Sequence, residues 1–121
     1  METKNTLEIL LVRHGQTDWN RDRRIMGRRP IPLNAVGRQE SKALSEALSE
    51  VSLDAVYASP VRRALETARW IARGRKLKIF PASEMAEIDY GRWVGKTFEE
   101  VRRDENYKIY HSTPRKAKAP D

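Results

Sequence analysis

The strongest constraint on this chain is the order in which its apolar periodicity changes. Leu7 to Val12 is apolar except for Glu8 and reads as a short buried strand. Behind Asn34, a good helix cap, Val36, Ala43, Leu44, Ala47, Leu48 and Val51 recur at helical spacing and predict an amphipathic helix over 35–50. Asp54 to Tyr57 is a second short strand. Ser59 as cap, with Pro60 in the first helical position, opens a helix whose apolar face is Val61, Ala64, Leu65, Ala68, Ile71 and Ala72, and Gly74 ends it. Leu77 to Phe80 is a third strand, stopped by Pro81. Strand–helix–strand–helix–strand is the pattern of a parallel α/β sheet. Three strands make a narrow one, because parallel sheets are normally covered on both faces.

The rest of the chain is organised around these elements. Residues 13–29, rich in Gly and Arg, read as a loop with a turn of helix around Asp18. Thr97 and Glu100 form a capping box for a short helix through Phe98 and Val101. From Tyr107 to Asp121 no period is visible, and Lys108, Arg115, Lys116 and Lys118 make the stretch basic. The expectation is one domain over 1–121, with a structured core over 1–106 and a mobile tail over 107–121.

Composition narrows the chemistry. The chain lacks cysteine, which excludes disulfides, thiolate metal sites and a cysteine nucleophile, and fits a reducing compartment, the cytoplasm. Ile9 to Val12 is far too short an apolar run for a bilayer, so no membrane partner is expected. Lys and Arg number 24 against 17 Asp and Glu, a net charge of +7. Sixteen of the cations are Arg, the better planar donor for phosphate oxygens. Nucleic acid is not the expected partner, because the basic residues come with no aromatic stacking platform.

The chemistry-bearing residues follow the strands. Arg13-His14-Gly15 comes directly after the first, where parallel sheets bind ligands. A neutral imidazole can attack phosphorus, a neighbouring guanidinium can stabilise phosphoryl oxygens, and glycine leaves room for a bulky phosphate. Thr17, Asn20, Arg24 and Gly27 continue the segment. Ser59-Pro60-Val61-Arg62-Arg63-Ala64 follows the second strand, and Glu87-Ile88-Asp89-Tyr90-Gly91-Arg92-Trp93 follows the third.

From Leu10 to about Val101 these motifs together resemble the histidine phosphatase superfamily, also called phosphoglycerate mutase-like. The resemblance implies an α/β three-layer sandwich with a mostly parallel sheet, and phosphoryl transfer through a phosphohistidine with no metal and no cofactor. It makes His14 the nucleophile and Glu87 the acid that protonates the leaving oxygen, for which Glu87 needs a dry or electronegative setting. Arg13, Arg63 and Asn20 would hold the substrate phosphate. Gly15, Thr17 and Arg24 would border the substrate or support the residues that do. Of the remaining residues, Arg62 is expected to face solvent, and Trp19 and Trp93 to pack on loop surfaces or rim the pocket.

Departures from the family pattern include Met26, Pro30, Glu40 and Val94, which bear on loop contacts and substrate choice. The family's second catalytic histidine lies in a later strand-end motif followed by glycine. His111, in Tyr110-His111-Ser112-Thr113, has no such setting and reads as a tail residue. The fold is therefore expected to be incomplete at the C-terminus, with activity lowered and bare sheet edges that favour self-association. The expected function is hydrolysis of a small phosphate monoester. The alternatives are a cofactor-dependent phosphoglycerate mutase, against which Ile88 stands where mutases place Arg, and a noncatalytic phosphate-binding fragment.

Overall fold

The computed structural model describes residues 5–112. In chain order these form α1 (Asp18–Arg21), α2 (Ala35–Ala47), β1 (Val56–Ala58), α3 (Arg62–Ala72), β2 (Ile79–Pro81), two single 3₁₀ turns at Ser83–Met85 and Gly91–Trp93, α4 (Phe98–Arg102) and α5 (Glu105–Ser112). The fold is α/β. β1 and β2 pair in parallel, with Val56 opposite Ile79 and Ala58 opposite Pro81, and α3 is the crossover between them. Pro81 is tolerated because it ends its strand, and the next ladder position is filled by the Ala82 amide donating to the Ala58 carbonyl at 2.8 Å.

The helix caps follow local chemistry. Asn34 accepts from the Gly37 amide at 2.9 Å and opens α2. Thr97 accepts from the Glu100 amide at 3.2 Å and opens α4. At α3 the expected cap is displaced. Val61 stands at the boundary and Pro60 lies outside the helix, while the Ser59 hydroxyl accepts only from the Val61 amide, at 3.4 Å.

The largest departure is at the start. Leu7 to Val12 joins no ladder, and its side chains lie open, with Leu7 84% and Leu11 88% exposed. A strand needs a hydrogen-bonding neighbour, and the described sheet has only β1 and β2. The stripe on α2 is similarly under-used. Val36 is exposed, and the residues α2 buries are Gly37 and Ser41.

Burial concentrates in two places. One is a cluster of Ile25, Trp93 and Val101, against which Tyr90, Tyr107 and Tyr110 pack. Trp93 is 1% exposed, its indole N–H donates to Asp104 at 2.8 Å, and Tyr107 and Tyr110 meet it edge-on. Trp93 is thus a core residue and not part of a pocket rim. The same contacts give residues 105–112 a helical role, where the sequence suggested an irregular tail from Tyr107 onward. His111 stacks on Tyr107 with ring centres 5.6 Å apart. The tail residues 113–121 lie outside the described residues.

The second place is where α2 and α3 meet the loop after Val12. Gly15 and Gly37 bring two backbones together. A Cβ on Gly37 would fall on the Gln16 carbonyl oxygen and 2.7 Å from the Gln16 nitrogen. A Gly37→Ala chain is expected to lose about 1–3 kcal/mol, since backbone cannot yield as a flexible side chain can. The check is the urea midpoint, and an unchanged midpoint would show that the two segments do not lie this close.

Candidate active site

The loop carrying Arg13, His14 and Gly15 is held from both sides by side chains of the helices. The Gly15 amide donates to Thr67 Oγ1 of α3 at 3.1 Å, and that hydroxyl donates to the Arg63 carbonyl at 2.9 Å. The Gln16 amide donates to Glu40 of α2 at 3.0 Å. Thr67 is a positioning residue that sequence reasoning missed, whereas Glu40, expected to bear on loop contacts, makes one here. Thr67 lies four residues after Arg63, one helical turn along, which puts both on one face of α3.

His14 is half-buried, and its Nδ1 lies 2.7 Å from the Gly15 carbonyl. A carbonyl only accepts, so Nδ1 carries the proton and the lone pair of the neutral ring resides on Nε2. Burial lowers the His14 pKa below its usual 6.5. The Gly15 bond opposes this, the positive charges of Arg63 and Arg13 lower it further, and Glu87 raises it. The balance favours an uncharged ring with a free nitrogen.

Arg63 is 2% exposed at the start of α3. Its guanidinium donates to the carbonyls of Gly27 at 2.7 Å and Arg29 at 3.1 Å, which fixes its direction. The buried Nε has no partner among the described residues. Burial lowers its pKa, and Glu87 partly restores it across a separation of 4.0 Å. Arg63, Arg13 and Glu87 all act on the His14 ring, so a fixed guanidinium, an exposed one and a carboxylate share its surroundings.

Glu87 follows β2 and the first 3₁₀ turn. Its carbonyl accepts from Arg28 Nε at 2.8 Å, and its own Oε1 accepts from the Ile88 amide at 2.9 Å. Its side chain is 42% exposed and its charged neighbour is Arg63. The dry or electronegative setting that an acid requires is therefore not formed by the described residues.

The other sequence candidates have local duties. Thr17, fully buried, caps α1 by accepting from the Asn20 amide at 3.1 Å, and Asn20 returns the bond by accepting from the Thr17 amide at 2.9 Å. This capping box occupies the Asn20 carbonyl oxygen and leaves its NH₂ as the end able to meet an anion. Arg24 donates to the Gly95 carbonyl at 2.7 Å and ties the loop after α1 to the one before α4. Gly15 is glycine because Gly37 is against it: a Cβ there would stand 2.9 Å from the Gly37 carbonyl carbon. Arg62 is exposed and pairs with Glu66 at 2.7 Å, one turn along α3.

Among the described residues no His, Asp and Glu side chains gather in a group of three fit to hold a metal ion, and no helix is long and apolar enough to cross a membrane.

Known proteins are similar to this chain in sequence and fold. The family model described as histidine phosphatase superfamily (branch 1) matches residues 9–121. Phosphoserine phosphatase 1 of Hydrogenobacter thermophilus is 33% identical over 112 residues, covering 91% of this chain and 53% of its own. The crystal structure of a phosphoserine phosphatase from Entamoeba histolytica, in complex with 3-phosphoglyceric acid, superposes with a TM-score of 0.79 at 34% identity, over 89% of this chain and 53% of that one. The alpha-ribazole phosphatase of Shigella flexneri does so with a TM-score of 0.75 at 32% identity, over 83% and 50%. The chain spans about half the length of the relatives it matches.

Proposed function

Since this chain belongs to the histidine phosphatase superfamily, branch 1, we propose that it cleaves small phosphate monoesters by way of a phosphohistidine on His14. Nε2 of His14 attacks phosphorus, the N–P bond forms, and the ester P–O bond breaks. The leaving oxygen takes a proton from Glu87. Water then attacks the phosphohistidine, gives its proton back to Glu87, and releases inorganic phosphate with His14 restored. Arg63 and Arg13 offset charge on the transferring group, and the free NH₂ of Asn20 adds a donor. No metal is needed in this scheme, and the proposed setting is the cytoplasm.

The observation that carries the reading is the Nδ1 bond to the Gly15 carbonyl, which leaves Nε2 as the basic nitrogen of a ring kept neutral by burial and two arginines. Glu87 is where the site is least prepared. An incoming phosphate dianion would supply the negative neighbour that the resting site lacks. The 42% exposure of Glu87 favours a second reading, capture of phosphate with little turnover.

Labelling with [³²P]p-nitrophenyl phosphate separates the two. Its leaving group departs without an acid, so label reports His14 alone. The expected result is alkali-stable, acid-labile label that is absent from His14→Ala. At low probe concentration the labelling rate should hold down to pH 6.5 and fall below it, because a lowered His14 pKa keeps the ring unprotonated until more acid conditions. Label on wild type without sustained phosphate release would support capture. No label at any pH from 5 to 8 would rule out the phosphohistidine.

The exposed side chains of Leu7 to Val12 further support self-association through this segment, with a second copy of the chain as its partner.

A further inference from the structure

The carbonyl that accepts the His14 proton belongs to a peptide group with a second bond on its other side. Gly15 contributes the C=O of that peptide and Gln16 the N–H. The oxygen accepts from His14 Nδ1 at 2.7 Å, and the N–H donates to Glu40 Oε1 at 3.0 Å. A carboxylate, one amide plane and the imidazole are therefore linked in series by two hydrogen bonds. Gly15 is buried, and its carbonyl accepts no other hydrogen bond among the described residues.

The frame around this peptide is well fixed. The Gln16 carbonyl accepts from the Asn34 amide at 3.0 Å, and the Gln16 side-chain oxygen accepts from Asn34 Nδ2 at the same distance. Gln16 is thus tied to the start of α2, and Glu40, farther along that helix, reaches its amide. Glu40 makes no ion pair among the described residues, so no cation neutralises its charge. Resonance couples the two ends of a peptide: an acceptor on the N–H pushes electron density onto the oxygen, and hydrogen bonds in a chain strengthen one another. A charged acceptor does this more strongly than a neutral one. The charges that act on the His14 ring through space are Arg63 on α3, Arg13 on its own loop and Glu87 after β2, and Glu40 is not among them. Its route to His14 is the peptide.

We propose that Glu40 is a positioning residue for the nucleophile, working through the Gly15–Gln16 peptide to hold His14 as the Nδ1–H tautomer and to make Nε2 more basic. The proposal rests on the phosphohistidine reading for what Nε2 attacks. Its sign is fixed by the chemistry of the ring. Imidazolium is a stronger Nδ1–H donor than neutral imidazole, so a better acceptor at Gly15 favours the protonated ring and raises the pH at which His14 titrates. Loss of the relay moves that titration to lower pH and weakens the nucleophile.

The test is ¹⁵N-histidine NMR of the 121-residue chain, titrated downward from pH 8, for wild type, Glu40→Gln and Glu40→Ala. Gln keeps an acceptor without the charge, and Ala keeps neither. Glu40 is exposed and both replacements suit a helix, so the core is undisturbed. His111, the other histidine, is the internal reference. His14 should titrate at lower pH in Glu40→Gln and at lower pH still in Glu40→Ala, with a growing share of the Nε2–H tautomer. The Gln16 amide proton should move upfield in the same order, and His111 should not move. Labelling by [³²P]p-nitrophenyl phosphate above pH 7 should fall about threefold in Glu40→Gln and about tenfold in Glu40→Ala, with the acid limb displaced to lower pH in both.

A His14 that titrates as in wild type in both variants overturns the proposal. So does an equal displacement in the two, which marks a charge felt through space. A labelling rate that falls with its acid limb in place marks a clasp that only steadies the loop, and overturns it as well. Absence of label in wild type overturns the phosphohistidine reading and is seen without any variant, whereas the relay is judged on a titration that needs no phosphate ester.

Discussion

Replacing Arg63 by methionine is expected to remove nearly all affinity for inorganic phosphate and to lower stability by about 2 kcal/mol. The two losses have separate origins. Phosphate loses a charged donor whose direction is preset by two carbonyls, and one preorganised donor can be worth on the order of 10²–10³ in rate at such a site. Stability falls because the buried Gly27 carbonyl keeps no partner, while the Arg29 carbonyl keeps only the Ile31 amide, and an unsatisfied buried acceptor costs about 1–3 kcal/mol. Replacing a buried ion pair by apolar residues is often harmless, since both charges go together. Here the partners are backbone and stay behind. Arg63→Lys should recover part of the binding through charge, and less of the stability, because one ammonium cannot reproduce the fork across Gly27 and Arg29. Calorimetry with phosphate and urea melts of the three proteins measure both effects. Wild-type phosphate affinity in Arg63→Met would mean that the guanidinium serves the loop alone.

The same residue shows what a sequence discloses. That Arg63, Arg13 and Glu87 would gather near His14 was legible through the family resemblance of the motifs that carry them, and all three act on its ring. Caps such as Asn34 and Thr97 were legible too, being local chemistry read within four residues. The clasp of Thr67 on the Gly15 amide was not. It joins segments 52 positions apart, and a threonine inside a helix carries no mark of a distant partner. The contact of Gly15 with Gly37 was hidden for a similar reason, since each glycine alone suggests only freedom or clearance. α5 was missed because Tyr107 and Tyr110 point at one indole and make no stripe of their own. Leu7 to Val12 was misread in the opposite sense. Its apolar pattern describes what the segment can pair with, and the described residues offer it no neighbour.

That segment yields the other large effect. Wild-type chain is expected to associate as its concentration rises and to bind a hydrophobic dye, whereas Ile9→Lys with Leu11→Lys should restore a monomer and abolish most of the dye signal. The reason is the imbalance between what is buried and what is bare. The buried apolar side chains are Ile25, Leu33, Ala58, Ala68, Ile71, Trp93 and Val101, while Leu7, Ile9, Leu10, Leu11, Tyr57 and Phe80 are among the large ones left exposed. Unpaired backbone with apolar side chains on both faces is a template for another copy, and inward or edge lysines are the usual remedy. Because Ile9 and Leu11 are 69% and 88% exposed, the double substitution should leave the stability of the monomer within about 0.5 kcal/mol of wild type. Sedimentation at several concentrations gives the association, and the same samples give the dye signal. A wild-type chain that remains monomeric across the range would overturn the expectation. A lysine pair that unfolds the protein would show that the segment is buried in solution by contacts beyond those among residues 5–112.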